Sequence, residues 1–148
     1  DADLSHDPKY LADLREALAG CDLAIGSRYL HGVSVVNWPL HRIALSAFAN
    51  RYIRLVTGLR PTDCTSGYRL WRREALAELP LDHARANGYA FLTEMLYGAA
   101  QRRLRIAEAP IVFVERQEGY SKVSSSVLLE SLLTPWRLVF RGGRVGPP

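Results

Sequence analysis

Apolar and polar positions along the chain follow two periods, one helical and one extended. From Asp7 the period is helical, with Tyr10, Leu11, Leu14 and Leu18 on one face until Gly20. Asp7 ahead of Pro8 is a helix start, with a capping carboxylate and a proline at the first helical position. The run from Asp22 to Ile25 predicts a strand, and residues 26 to 38 read as a glycine-bearing loop carrying Arg28 and Asn37. Trp38-Pro39 opens a long helix that Gly58 ends. Its stripe of Leu45, Phe48, Ala49, Tyr52, Ile53 and Val56 predicts the buried face, with Arg42 and Ser46 one turn apart beside it.

The turn-rich stretch Pro61 to Gly67 leads to a short strand, Tyr68 to Trp71, and a short helix, Arg72 to Leu79, stopped by Pro80. A helix from Asn87-Gly88 to about Arg102 would bury Phe91, Leu92, Met95, Leu96 and Ala99. Ile106 to Glu115 is the most β-rich run, and Pro110 within it predicts an edge strand or a bulge. A polar loop, Arg116 to Lys122, precedes an apolar segment over 123–140 in which Pro135 predicts a kink or break, and residues 141–148 are expected to fray. Strands alternating with helices imply an α/β layer fold, without internal repeats.

Composition narrows the class. At 148 residues, 48% hydrophobic and 23% charged, the chain is sized for one domain and is neither disordered, collagenous nor coiled coil. No apolar run reaches the 18 or so residues of a spanning helix, and no basic-then-apolar leader opens the chain. Cys21 and Cys64 lie far apart, as reduced structural thiols in a cytosolic setting would. Charge is segregated: residues 1–27 carry −4, residues 28–73 carry +7 from eight arginines against Asp63, and the remainder carries +1. An acidic end beside an arginine block can gather a metal ion and phosphates at one place. Nucleic-acid binding is the competing use of the arginines, and it lacks aromatic stacking motifs here. Solvated arginines in a chain with 17 Arg and 2 Lys are the third reading.

Several residue groups carry chemistry. Asp1 and Asp3, two apart, point to one side of an extended segment and can share a hard divalent cation, with Ser5 on the same side; an acidic helix entry is the alternative. An aspartyl-nucleophile phosphatase also begins with two spaced aspartates, but Leu4-Ser5 stands where it has Gly-Thr. Arg42 in the first turn of a helix opposes the helix dipole, which makes sense where an anion sits beside it and the Ser46 hydroxyl. Asp63 to Arg69 packs small, polar and glycine residues, as a loop approaching a ligand or an ordinary turn would. Glu94 has Ala90, Phe91, Tyr97 and Gly98 around it on a helix, which allows a partly desolvated carboxylate. The four histidines lack zinc spacing. Arg116 and Lys122 bracket a loop around Gly119 that can close over an anion or form a solvated hairpin tip. Residues 123–140 hold only Glu130 and Arg137 as charges, which suits a helix at a bilayer surface or one at a core or oligomer interface.

Taken in order, Asp-Ala-Asp-Leu-Ser-His (1–6), Gly-Ser-Arg-Tyr (26–29), Asn-Trp-Pro-Leu-His-Arg (37–42) and Asp-Cys-Thr-Ser-Gly-Tyr-Arg (63–69) resemble the polyprenyl-phosphate (dolichyl-phosphate) mannosyltransferases of glycosyltransferase family 2. Asn87 to Phe91 with Glu94 to Tyr97, and Val114 to Arg116 with Ser121-Lys122, continue the resemblance to about residue 140. It implies the C-terminal portion of a GT-A nucleotide-diphospho-sugar transferase fold whose first, nucleotide-binding half is absent from this sequence. The catalytic portion would span 1–122, an interfacial helical segment 123–140 and a flexible tail 141–148. The resemblance makes Asp1 and Asp3 the metal pair, with Ser5 where a further ligand occurs, and Mg²⁺ or Mn²⁺ the metal. Arg28, Arg42 and Ser46 match positions that hold the lipid phosphate, and Arg116 and Lys122 the acceptor-side loop. Asp63, Ser66, Gly67 and Glu94 match the sugar side. The implied reaction moves mannose from GDP-mannose to a polyprenyl phosphate with inversion, on the cytoplasmic face of a membrane to which the protein attaches peripherally. A UDP-glucose or other polyprenyl-phosphate glycosyltransferase, and a fragment that binds lipid phosphate without catalysis, are the alternatives.

Overall fold

Strand β1 (Leu23–Ser27) is buried along its whole length, as a near-continuous apolar run is when both faces of its sheet are covered. The structure, a computed structural model, describes residues 6–79, 88–114 and 125–145. The elements include β2 (Val35–Val36), β3 (Arg69–Trp71), β4 (Ile106–Pro110) and β5 (Phe113–Val114), with helices α1 (Leu11–Leu18), α2 (Leu40–Thr57), α3 (Arg73–Ala77), α4 (Gly88–Gln101) and α5 (Ser125–Gly142). β1 lies between β3, antiparallel with Leu23 opposite Trp71, and β4, parallel with Leu23 opposite Ile106. On one face Ala24 meets Leu14 of α1 and Ala109. On the other, Leu23 and Ile25 meet Ile53 of α2, Leu96 and Tyr97 of α4 and Leu138 of α5. The chain is thus a mixed α/β structure with helices on both sides of a mixed sheet.

The start at Asp7 is as expected: its carboxylate accepts from the Lys9 N–H at 2.9 Å, and a 3₁₀ turn over Pro8–Tyr10 leads into α1. The long β-rich run behaves differently from a single strand. β4 ends at Pro110, the chain steps across Ile111 and Val112, and β5 pairs in parallel with β2, a strand that the loop reading of 26–38 did not contain. Arg105 C=O accepts from the Asp22 and Leu23 N–H groups and Ile111 N–H donates to Ser27 C=O, so alternate residues of β4 face β1 and Pro110 faces the other way. Among the described residues β4 has no further neighbour, which makes it the edge strand that Pro110 predicts. Gly26 permits the step, because a Cβ there would sit 3.0 Å from the Ile111 side chain.

The expected buried stripe of α2 is only half right. Ile53 is buried, but Leu45 and Phe48 are 50% and 60% exposed, and the fully inward positions are Asn50, Ile53 and Thr57. The inward row in the first half of the helix is polar because it faces the loops at the end of the sheet. Phe48 stacks on Tyr52, whose hydroxyl donates to Leu132 C=O of α5 at 2.7 Å. Leu129, Leu132, Leu133, Trp136 and Phe140 of α5 are also exposed, so α2 and α5 together present an apolar outer surface. α5 runs on through Pro135, itself buried, where a kink or break is expected. Among the described residues no helix is long and apolar enough to cross a membrane.

Residues 141–145, expected to fray, are docked. The Tyr97 hydroxyl reaches the Leu138 and Gly143 carbonyls, Gln101 donates to those of Gly142 and Gly143, and Val145 N–H donates to Thr57 C=O at 2.8 Å. Val145 lies against Gly58, which ends α2 in the left-handed conformation at φ 82°. A Cβ at Gly58 would be strained by that φ and would run into the Val145 carbonyl. Gly58→Ala is expected to cost about 1–3 kcal/mol, read as a lower urea midpoint at unchanged slope.

Candidate functional site

β1 delivers Arg28 to the loop that follows α2. Its Nε donates to Asp63 Oδ2 at 2.6 Å and its Nη2 to Oδ1 at 2.7 Å, a bidentate pair in which Arg28 is 6% and Asp63 0% exposed. The Arg28 N–H adds a third bond to the same carboxylate, and Nη2 also reaches Thr65 Oγ1. Neighbouring elements fix the rest of the loop. Glu108 of β4 accepts from the N–H groups of Thr62 and Asp63 and from Thr62 Oγ1. Asn50 accepts from Cys64 N–H at 2.7 Å and donates to Ser46 C=O. Ser66 Oγ donates to Gly26 C=O, and Arg69 donates to the carbonyls of Ser66, Cys64 and Leu92. Burial lowers the Arg69 pKa to about 10, so it remains a cation at neutrality, and pushes the Cys64 thiol up to about 12.

An aromatic cluster stands beside this buried pair. Asn37, in the left-handed region at φ 63°, turns the chain from β2 to Trp38. The Arg42 guanidinium carbon lies 4.2 Å from the Trp38 ring centre and that of Arg28 5.5 Å from it. Phe113 meets Trp38 edge-on, and His6 touches both Phe113 and Tyr68. Arg42 falls in the first turn of α2, where Pro39 provides no side-chain cap and the turn's own sequence contains no acidic residue. Ser46, one turn on, accepts from the Tyr29 hydroxyl at 2.7 Å. A helix start with uncapped N–H groups, a cation and a hydroxyl on one face is suited to an anion.

The predicted residues separate into groups. Arg28 and Arg42 share Trp38, and Ser46 joins them through Tyr29 and Asn50. Arg28, Asp63 and Ser66 are bonded inside the protein, where they shape the loop. Gly67 is exposed, and a Cβ there would lie 3.7 Å from Leu92. Glu94 is half-buried on α4, two residues beyond Leu92. Asp1, Asp3, Ser5, Arg116 and Lys122 lie outside the described residues. Among the described residues no cluster of three His, Cys, Asp or Glu could hold a metal. Two carboxylates and a hydroxyl at Asp1, Asp3 and Ser5 are the hard oxygen donors that Mg²⁺ or Mn²⁺ takes. Sequence reasoning missed Trp38, Tyr29, Asn50, Glu108 and Phe113. The spacing of Arg42, Ser46 and Asn50, four apart on α2, is the signal that marks Asn50. A separate groove of about 890 Å³, lined by Arg60, Arg103, Arg105 and Arg144, opens beyond Glu108 and is not lined by Arg28, Arg42 or Ser46.

Removing either partner of the buried pair strands a charge, so Arg28→Ala or Asp63→Ala is expected to lose about 3–5 kcal/mol in urea unfolding, and Arg28→Met with Asp63→Leu distinctly less than either single change. The Cys64 thiol is protonated more readily folded than unfolded. Its contribution to stability is therefore intact below its ordinary value of 9.0 and is lost as pH rises toward about 12. Iodoacetamide at pH 8.5 is expected to alkylate half-buried Cys21 in the folded protein and buried Cys64 only after unfolding.

No protein-family model matches the chain. Curated proteins do, among them a mannosyltransferase and a phosphomannose synthase. It is 42% identical over 143 residues to the undecaprenyl-phosphate mannosyltransferase of Micrococcus luteus, covering 95% of this chain and 59% of that protein. It is 44% identical over 133 residues to the polyprenol monophosphomannose synthase of Mycolicibacterium smegmatis, covering 89% of this chain and 50% of that protein. The chain spans between half and three-fifths of the curated relatives it matches. Over the portion it spans, it is homologous to the polyprenyl-phosphate mannosyltransferases, as the ordered motifs indicate.

Proposed function

We propose that the chain is the acceptor-binding portion of an inverting GT-A glycosyltransferase that transfers mannose from GDP-mannose to a polyprenyl phosphate. The observation that carries this reading is the start of α2, where Arg42, uncapped N–H groups and Ser46 converge beside a rigid buried ion pair. The names of the two relatives support the acceptor and the sugar.

In this reading the lipid phosphate rests at the α2 start, its oxygens bonded by Arg42 and by first-turn N–H groups. Ser46 accepts from Tyr29, which leaves its own proton to donate to the phosphate. Arg28, held by Asp63, keeps the loop and Trp38 in place. A phosphate oxygen attacks the anomeric carbon of mannose, the bond from that carbon to the β-phosphate oxygen breaks, and GDP leaves with the electron pair. Attack opposite the leaving group inverts the centre. The nucleophile is already anionic at neutral pH, so no general base is required, and rate enhancement comes from positioning and charge stabilisation. Asp1 and Asp3, with Ser5, would hold Mg²⁺ or Mn²⁺, which supplies charge compensation for the diphosphate. Arg116 and Lys122 would close over the acceptor, while Gly67 and Glu94 flank the sugar. The exposed apolar surface of α2 and α5, with Arg137, Arg141 and Arg144 nearby in sequence, would rest on the cytoplasmic face of the membrane that carries the acceptor.

The test is transfer of labelled mannose from GDP-mannose to a short-chain polyprenyl phosphate by the full-length natural protein with Mg²⁺ or Mn²⁺. Lipid-extractable label is expected; Asp3→Ala should abolish it and Arg42→Ala should lower kcat/KM for the acceptor about a hundredfold or more. Label from UDP-glucose instead would correct the sugar alone, and none from any donor would overturn the reading. Flotation with liposomes is expected to fail for Trp136→Glu combined with Phe140→Glu and to succeed for the unmodified protein.

A further inference from the structure

We infer that Trp38 is a phosphate-recognition residue whose indole N–H donates to the same anion that Arg42 holds; the inference rests on the lipid-phosphate reading above and adds a contact to that site. Among the described residues, Trp38 Nε1 is the one buried side-chain nitrogen or oxygen without a hydrogen-bond partner. Buried donors are rarely left without an acceptor, because the bonds to water lost on burial are not replaced. A platform for stacking arginines would not need that donor. Phenylalanine offers a ring face without an N–H, and Phe113 already contributes such a ring within the same cluster.

The surroundings of Nε1 indicate an anion as the missing acceptor. Arg42 covers the indole at 4.2 Å and Arg28 stands 5.5 Å from its centre, so the indole lies in a field set by two guanidinium groups. Arg28 is bonded to Asp63, and Arg42 lies in the first turn of α2, whose N–H groups favour negative charge. A phosphate monoester has three terminal oxygens, enough to accept from the Arg42 fork, the indole N–H and a first-turn N–H together. The indole is also held in advance of binding. Its backbone is set on one side by Asn37 at φ 63° and on the other by Pro39, and its ring by Phe113 on β5. A donor fixed in that way loses little freedom when the ligand arrives.

The experiment titrates a short-chain polyprenyl phosphate, and the same polyprenol without phosphate, into the full-length natural protein in detergent. Two changes remove the N–H: Trp38→Phe, and replacement of Trp38 by 3-benzothienylalanine, which keeps the indole shape with sulfur in place of nitrogen. Each is expected to weaken binding of the phosphate about tenfold or more and to leave binding of the free alcohol unchanged. The rise in melting temperature caused by the phosphate should shrink in parallel. Binding of the phosphate by the benzothienyl variant as tightly as by the unmodified protein would overturn the inference and leave Trp38 as a stacking platform. In that case the lipid-phosphate reading survives. Failure of the unmodified protein to bind the phosphate overturns both.

Discussion

The buried pair of Arg28 and Asp63 is the constraint from which the site is built. A guanidinium and a carboxylate removed from water lose hydration, and only close, doubly bonded geometry with further donors offsets that loss. Here two short bonds join the side chains and the Arg28 N–H supplies a third to the same carboxylate. The pair ties the end of the central strand to the loop between α2 and β3. Glu108, Asn50 and Arg69 then hold that loop from the edge strand, from the long helix and from within, so that the segment from Thr62 to Ser66 is bonded on every side. Trp38 and Phe113 stand against the Arg28 guanidinium, which makes the aromatic cluster dependent on the same pair.

α2 serves two environments along one axis. Its first turns direct Arg42, Ser46 and Asn50 to the loops at the end of the sheet, whereas its last turns direct Ile53 and Thr57 to the core. The large apolar side chains of its first half are consequently left outside. Leu45 and Phe48 join the exposed residues of α5 across the contact between Tyr52 and Leu132, so the polar site and the apolar surface occupy different sides of one helix. That arrangement suits a ligand with an anionic head and a hydrocarbon tail.

Element types were legible wherever period and punctuation agreed. Asp7-Pro8, Gly58 and the four-residue spacing of α4 mark helices without outside help. Two kinds of feature were not legible. β2 is two residues long and exists because β5 pairs with it, and a ladder that short leaves no periodic signal. The facing of α2 does not follow from its hydrophobic content, because the helix start lies over polar loops distant in sequence. The same reason hides Glu108 and Phe113. Each reaches the site from a separate strand, and no local pattern announces a contact that depends on tertiary pairing. Arg42 stands out in the sequence because a cation at a helix start is out of place unless something there compensates it.

Pro110 governs how the sheet can grow. Among the described residues the outer side of β4 is one place where another strand could add, and growth there needs a continuous row of donors and acceptors. The row is interrupted, since the residue presented outward at its end has no N–H to give. A second chain laid along this edge would lose a hydrogen bond at the point where the sheet leaves off and the step to β5 begins. Pairing through this edge is therefore discouraged by a residue that lies outside the candidate site.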